Sequence, residues 1–354
     1  MRILELIPTL KVGGAEAFVV NLANAFVADN HECKVVTLFN ADTDDISAQR
    51  LDKKVQQASL GKSYGFDFKC FYNVLRLIRK DRPDIVHVHI GAITYVLLAA
   101  IFYRRCKYVA TIHSEASREA GGLITRTIRK FLFKSKLVHP VAISLESMLS
   151  FKNFYSMDPK VIYNGVPDVI TVDFQEYEKN VFVHPASCQP VKNQMLLFKA
   201  FQKISEKYAN VELHWYGSHS QYGILFDELN CFLGDKIIYK GVTKDIRRYL
   251  KNARAMCLSS TMEGMPMTII EAMSVGCIPI TTPVGGCLDM INDGENGFLS
   301  ADMSVEAYVE VLERVLKISS SDLNKMKAAA RNTYDCNFTI GRTAHEYITL
   351  FTDC

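Results

Sequence analysis

Two doubly wound α/β domains in series, each built on a parallel sheet, are the fold class this sequence predicts. Three observations carry that expectation. Short apolar runs alternate with amphipathic stretches almost throughout, the pattern of strand–helix–strand units around a parallel sheet. The alternation restarts after a polar, aperiodic segment at 167–180. The chain has 354 residues, 49% of them hydrophobic, enough for two cores at roughly 100–200 residues per domain.

In the first half, strands are expected at 3–7, 33–39, 55–60, 85–89, 108–113, 138–143 and 161–162. Helices fall between them, among them 16–29 and 71–80. Phe18, Leu22 and Phe26 recur every fourth residue and form one apolar helical face. The second half repeats the scheme, with strands at 181–185, 212–216, 237–239, 255–258, 278–281 and 298–299, and with helices such as 193–208 and 268–275. The expected domains are 1–168 and 169–339. A closing helix within 340–354 could return to the first domain. In open sheets of this kind, ligands bind outside the carboxyl ends of the strands, although such an architecture does not by itself fix a function.

Composition narrows the classes. Ten cysteines are scattered with no CxxC pair, which reads as reduced thiols in a cytoplasmic protein. The first eight residues are too short and interrupted for a signal peptide. The longest apolar run, 92–103, falls short of the ~20 residues a bilayer span needs and reads as a buried helix. A soluble protein, or one peripheral to the inner face of the plasma membrane, follows. Net charge is +3 but unevenly placed: residues 1–170 carry 23 Lys and Arg against 16 Asp and Glu, and the remainder 18 against 22. A basic first half suits an anionic partner surface; ordinary charge scatter is the plainer alternative.

Two segments carry the chemistry. Gly13-Gly14-Ala15-Glu16 follows the first strand and opens the first helix. Glycines admit close backbone approach, and a helix N-terminus offers free N–H groups to phosphate. A plain strand-to-helix turn would look the same, and the spacing is not the G-x-G-x-x-G of a dinucleotide fold. The second segment runs from Glu263 through Gly264, Met265, Pro266 and Met267 to Glu271. Pro266 suits a helix start. Two carboxylates eight residues apart could hold a sugar and a ribose diol. Glutamates in so apolar a setting need a reason.

From Glu263 to Leu299 the chain resembles the C-terminal signature of family 4 retaining glycosyltransferases of the GT-B fold. Glu263 and Glu271 match an E-x7-E motif. The strand Gly276–Pro279, the turn Gly285-Gly286 and the run Asn296-Gly297-Phe298-Leu299 follow in the family's order. The Gly13–Glu16 loop, Val161–Val166, Lys192-Asn193-Gln194 and Gly241–Asp245 also match. The resemblance implies two Rossmann-like domains facing each other across a cleft, the first for the acceptor and the second for a nucleotide sugar.

It also implies roles. Glu271 would bind the ribose. Glu263 and the backbone of Gly264–Met267 would hold the transferred sugar. Gly13 and Gly14 would face the donor phosphates, and Lys192 would neutralise the leaving diphosphate. His113 matches a histidine near the transferred sugar, although a satisfied strand-end histidine is the plainer reading. Glu16 and His89 are acceptor-side candidates. His87 and His89 share one strand face; with no third ligand evident they read as cleft or packing residues, and no metal site is expected. The sequence departs from the family once: no arginine stands a few residues before Lys192, where Ser187 and Gln189 would have to supply neutral donors to phosphate. Asp289 also stands where a glutamate is common.

The expected enzyme needs no cofactor, its nucleotide sugar (a UDP sugar, the family's commonest donor) being a substrate. It is also metal-independent. Asp44-Asp45 lies in a polar loop, not at a metal-binding aspartate pair. Lys192 and the Gly14 helix end would stabilise the departing diphosphate. The acceptor is expected to be a glycan or lipid-linked saccharide in surface-polysaccharide or glycolipid synthesis. The segment 118–136 is basic and amphipathic, with Leu123, Ile124, Ile128, Phe131 and Leu132 bordered by Arg126, Arg129, Lys130, Lys134 and Lys136. It could lie on an anionic membrane surface or be an ordinary surface helix. No nucleic-acid motif accompanies the charge. Two other classes fit less well: a GT-B-like nucleotide-sugar epimerase, against which the Gly-Gly-Ala-Glu loop and E-x7-E segment speak, and a non-catalytic sugar-nucleotide-binding module, favoured only by the absent arginine.

Overall fold

The computed structural model describes residues 1–11, 13–40, 46–168, 179–219 and 222–353. Most of the segment expected as the interdomain linker, and Asp44-Asp45, lie outside the described residues. The chain divides into two compact units, 1–167 with 339–354, and 168–338.

The first unit holds a seven-stranded sheet: β1 (Arg2–Ile7), β2 (Glu32–Thr37), β3 (Gln56–Ser59), β4 (Ile85–His89), β5 (Lys107–Ile112), β6 (His139–Ala142) and β7 (Lys160–Val161), in the order β3-β2-β1-β4-β5-β6-β7. The second holds six: β8 (Asn180–Pro185), β9 (Val211–Tyr216), β10 (Ile237–Gly241), β11 (Ala255–Leu258), β12 (Pro279–Thr281) and β13 (Phe298–Leu299), in the order β10-β9-β8-β11-β12-β13. Every pairing is parallel. Each expected strand has its counterpart within one or two residues. The central strands are legible because helices cover both faces of a parallel sheet: all five residues of β4 are buried, whereas the edge strand β3 is mostly exposed.

Both sheets reverse direction once. After β1 the chain builds outward through β2 and β3, then returns to place β4 on the other side of β1. After β8 it builds through β9 and β10, then returns with β11. The pairs β1/β4 and β8/β11 are therefore the topological switch points, where loops diverge and leave room for a ligand.

The first unit is closed by its last helix, Ile340–Asp353. Tyr347 and Phe351 pack on the helix Gly14–Ala28, with ring separations of 6.1 Å to Phe18 and 5.9 Å to Phe26. Lys107 adds hydrogen bonds of 2.9 Å to the carbonyls of Phe351 and Thr352. Gly165 shows how tightly this helix docks: a side chain there would stand 2.6 Å from Thr343 Oγ1 and 2.7 Å from the Thr339 carbonyl.

Two expectations need correction. The apolar run 92–103 is not one helix. It begins as a 3-10 helix, Ile90–Val96, and continues as a short α-helix, Leu97–Phe102. Ile90 enters with φ of 52°, a left-handed conformation unfavourable for a β-branched residue; Arg129 Nη2 donates to its carbonyl at 2.7 Å. The run is also not wholly buried, since Phe102 is 63% exposed. The segment 118–136 is likewise two helices, Ala116–Glu119 and Leu123–Lys134, divided at Gly121, whose φ is 71°.

Candidate active site

At the switch point of the second unit, three loops are stapled together. The loop after β8 ends in a 3-10 turn, Pro190–Lys192, and Asn193 adopts φ of 46° before the helix Gln194–Lys207 begins. Asparagine tolerates that left-handed step better than most residues. The loop after β11 crosses over this turn. Ser259 Oγ donates to the carbonyls of Lys192 (2.9 Å) and Asn193 (3.0 Å), and the Thr261 amide donates to the Val191 carbonyl at 2.8 Å. The loop after β12 joins through the Gly286 amide, 3.0 Å from the Gly264 carbonyl. A side chain at Gly286 would run into that same carbonyl oxygen, so the approach requires glycine.

The result is a direct pairing of two predicted site residues. Lys192 Nζ lies 2.7 Å from Glu263 Oε1, and Ser260 Oγ donates to the same oxygen at 2.5 Å. The Lys192 side chain is 22% exposed and that of Glu263 is 9% exposed. Sequence reasoning gives these residues separate tasks; the structure makes them partners. It missed Ser259 and Ser260, whose signal was their place at the carboxyl end of an expected strand.

Pro266 is the N-cap of the helix Met267–Ser274, with extended backbone. Met265, Pro266 and Met267 are buried, so this segment can offer backbone groups more readily than side chains. Glu271, half-buried, lies inside that helix. Ser187 and Gln189 sit on the β8 loop, where the Ser187 carbonyl accepts from Gln194 Nε2 at 2.9 Å. Behind them, His184 is fully buried and donates from Nδ1 to the Cys257 carbonyl at 2.9 Å. Burial lowers its pKa to about 4, opposed by that hydrogen bond and aided by nearby Lys192.

In the first unit, Gly13 caps the helix Gly14–Ala28 with extended backbone and no side-chain cap. A side chain at Gly13 would run into the Glu16 carboxylate, so Glu16 folds back over the loop.

His87 and His89 do have a third partner, contrary to expectation. The β1–β4 register sets Glu5 beside His87. Glu5, His87 and His89 all have 0% exposure. Glu5 lies 3.1 Å from His87 Nδ1 and 2.6 Å from His89 Nε2. His89 Nδ1 in turn lies 2.9 Å from His113 Nε2. His113 stands one residue beyond β5, and its amide donates to Glu119 Oε2 at 2.9 Å. Burial pushes the Glu5 carboxyl up, but the two histidines outweigh it and hold it at about 2. Burial, reinforced by His87, brings His89 down to about 4. Burial and the neighbouring His89 and His87 hold His113 well below the usual imidazole range.

The basic segment is less amphipathic than expected. Arg129 is 3% exposed and faces inward, bonding the Ile90 carbonyl and pairing with Glu119 at 4.0 Å. Leu132 is in the core, whereas Leu123, Ile124 and Phe131 are 81%, 61% and 49% exposed. Exposed Arg126, Lys130 and Lys134 lie on the same helix. Among the described residues no helix is long and apolar enough to cross a membrane.

Comparison with known proteins places this geometry. The model for glycosyl transferases group 1 matches residues 171–333, and that for glycosyltransferase family 4 matches residues 12–168. The chain is 25% identical, over 100% of its length and 99% of the relative's, to a Campylobacter jejuni GalNAc-α-(1→4)-GalNAc-α-(1→3)-diNAcBac-PP-undecaprenol α-1,4-N-acetyl-D-galactosaminyltransferase. It is 25% identical, over 81% of its length and 80% of the relative's, to an Escherichia coli UDP-Gal:α-D-GlcNAc-diphosphoundecaprenol α-1,3-galactosyltransferase. Among solved structures, a Rickettsia africae glycosyltransferase superposes with a TM-score of 0.84 at 19% identity, covering 99% of this chain and 98% of that one. Anabaena HepE in complex with UDP does so with 0.83 at 17% identity, covering both chains fully. These superpositions identify the two parallel-sheet units as the GT-B fold. With the two family models adjoining across nearly the whole sequence, the chain belongs to the group 1, family 4 glycosyltransferases.

Proposed function

We propose that this glycosyltransferase moves a sugar from UDP to a lipid-linked saccharide, with retention of anomeric configuration and without a metal ion, in the synthesis of a surface polysaccharide. The observation that carries the reading is the Lys192–Glu263 pair at the β8/β11 switch point. It sets a cation and a carboxylate side by side, where a donor needs one for its diphosphate and the other for its sugar hydroxyls. Two relatives whose names specify undecaprenol-linked acceptors favour a lipid-linked saccharide here. HepE was crystallised with UDP, which favours uridine as the base.

Departure of the diphosphate builds negative charge on its oxygens. Lys192 would turn from Glu263 to meet it, and the helix N-terminus at Gly13 and Gly14 would add backbone dipoles. Glu263, released, would accept from the sugar hydroxyls, with Glu271 on the ribose. Ser187 and Gln189 would donate neutral hydrogen bonds in place of an arginine. His113 would bond a hydroxyl of the transferred sugar, with Glu16 and His89 toward the acceptor side. A lysine that neutralises the leaving group removes the requirement for a divalent cation. The exposed Leu123, Ile124 and Phe131, flanked by Arg126, Lys130 and Lys134, suit an anionic membrane surface, each basic residue contributing about 1 kcal/mol.

The test is a stability screen against UDP, GDP, ADP and their sugars, with magnesium or with EDTA. Ligand at 100 times its dissociation constant adds about 2.7 kcal/mol. Stabilisation by UDP sugars that is indifferent to EDTA and weakened in Glu271→Ala supports the reading. So does a product whose anomeric proton is equatorial, with a small coupling to H2, as in an α-linked donor. Stabilisation by another nucleotide, or dependence on magnesium, sinks the corresponding part. Ligand binding without turnover on any polyprenyl-diphosphate saccharide would favour a binding module.

A further inference from the structure

We infer that Glu5, acting through His89, fixes His113 as its Nε2–H tautomer and so presents the His113 Nδ1 lone pair as a hydrogen-bond acceptor for a hydroxyl of the transferred sugar. The sugar part rests on the placement of His113 proposed above; the tautomer part rests on the first unit alone.

The argument follows the protons. An ionised carboxylate can only accept hydrogen bonds. Glu5 is fully buried, with His87 Nδ1 and His89 Nε2 both within 3.1 Å, and those neighbours hold its carboxyl at about 2. Each of those nitrogens must therefore carry the hydrogen it shares with Glu5. His89 is neutral at physiological pH, its pKa brought down to about 4 chiefly by burial. A neutral imidazole has one N–H. With Nε2–H committed to Glu5, His89 Nδ1 is a bare acceptor. The 2.9 Å contact from His89 Nδ1 to His113 Nε2 is then a hydrogen bond only if His113 Nε2 is the donor. Neutral His113 has no second hydrogen, so its Nδ1 is left as an acceptor.

The remaining contacts hold the origin of this string in place. His87 Nε2 lies 2.7 Å from Thr111 Oγ1, which lies 2.7 Å from Tyr347 OH on the closing helix. Glu5 is thus anchored across β1, β4, β5 and the closing helix. His113 is fixed a second time, through its amide, by Glu119. Glu5 and His89 are positioning residues in this scheme: they reach the sugar only through His113. An acceptor at Nδ1 can bond a hydroxyl without adding positive charge beside a sugar whose bond to phosphate is breaking, whereas an Nδ1–H would meet the hydroxyl's lone pair as a competing donor. The same Glu5, His87 and His89 atoms lie within 4.8 Å of one another, the spacing of a metal cage, but each already has a hydrogen-bond partner and none reaches the surface.

The test is 15N NMR on the full chain labelled at its histidines, with the His113 signals assigned by their loss in His113→Gln. The wild-type protein should show His113 with a protonated Nε2 and an unprotonated Nδ1. In Glu5→Gln an amide N–H can donate to His89 Nε2, so a population of His113 with protonated Nδ1 should appear. His87→Gln also disturbs Glu5 but lies off the branch, and should leave the His113 tautomer unchanged. Turnover of UDP-N-acetylgalactosamine, or of the UDP sugar that stabilises the protein best, should fall at least about tenfold in Glu5→Gln, the loss of one well-formed hydrogen bond, while affinity for UDP alone stays constant. A wild-type His113 with protonated Nδ1 overturns the inference; a metal ion bound among Glu5, His87 and His89 would produce that result. A tautomer that shifts in Glu5→Gln without loss of turnover overturns its role in transfer. If no UDP sugar is turned over by the wild type, the functional reading fails and the spectrum still decides the tautomer. The wild-type spectrum is decisive even if Glu5→Gln does not fold.

Discussion

Replacing Glu263 by glutamine should tighten the binding of UDP while slowing sugar transfer. Lys192 and Glu263 are 2.7 Å apart. At an effective dielectric of about 20 the bare attraction at that separation is roughly 6 kcal/mol. Most of it repays desolvation, because the two side chains are only 22% and 9% exposed, and a charge-assisted hydrogen bond is worth about 1.5–3 kcal/mol net. A diphosphate that recruits Lys192 must first break this pair, so its affinity is reduced by about that amount. Glutamine keeps the shape and the Ser260 contact but frees the lysine. UDP carries no transferable sugar and loses nothing when the carboxylate goes, so its dissociation constant should fall about tenfold or more. A UDP sugar loses the carboxylate that holds its hydroxyls, and its turnover should fall. Calorimetric titration with UDP and a coupled assay of UDP release measure the two effects. Lys192→Ala should weaken UDP and slow transfer together. If UDP binds Glu263→Gln no more tightly than wild type, Lys192 does not exchange partners and the proposed site is wrong at its centre.

Arg129→Ala leaves Glu119 without its buried partner; breaking such a pair costs about 3–5 kcal/mol, to be read as a lower unfolding midpoint in denaturant. Gly286→Ala drives a methyl group against the Gly264 carbonyl, so UDP-sugar affinity should fall with little change in secondary structure by circular dichroism. Acid should destabilise the second unit through His184. Its pKa is lowered from 6.5 to about 4, chiefly by burial, so the unfolded chain takes up the proton first. The stability is complete above pH 6.5 and is lost as pH falls toward 4, by about 3 kcal/mol at 1.36 kcal/mol per unit. Urea melts at pH 7, 5.5 and 4 measure this, and a His184→Phe variant that folds should show a shallower slope.

The strands were legible because burial on both faces leaves a local mark: β4 reads Ile-Val-His-Val-His with no exposed position. The glutamate motif was legible because its spacing is local too. What stayed hidden lies in pairings set by sheet order. Glu5 and His87 are 82 residues apart, and only the return of β4 to the edge of β1 makes them neighbours. A signal was present: a lone carboxylate in the middle of an otherwise apolar central strand demands a partner, and two histidines in another central strand could have supplied it. Arg129 hid differently. Its place in a helical wheel is equally compatible with a basic rim, and what turns it inward is Glu119, a residue of the preceding helix.

The two units, built alike, use their switch points in opposite ways. At β8/β11 the charged pair sits at the loop tips, partly exposed, with neutral serine hydroxyls around it. Such a pair is weak enough to be traded for a ligand. At β1/β4 the carboxylate sits within the sheet, without exposure, and two histidines hold it. Removing a charge so placed from its partners costs several kcal/mol, so Glu5 cannot serve as a ligand group without dismantling the core around it. Its influence has to travel outward through hydrogen bonds, and the only member of that string with exposed surface at the carboxyl end of the sheet is His113. Chemistry that requires exchange of partners therefore belongs to the second unit. The first unit is suited to hold one acceptor at one nitrogen in a fixed orientation.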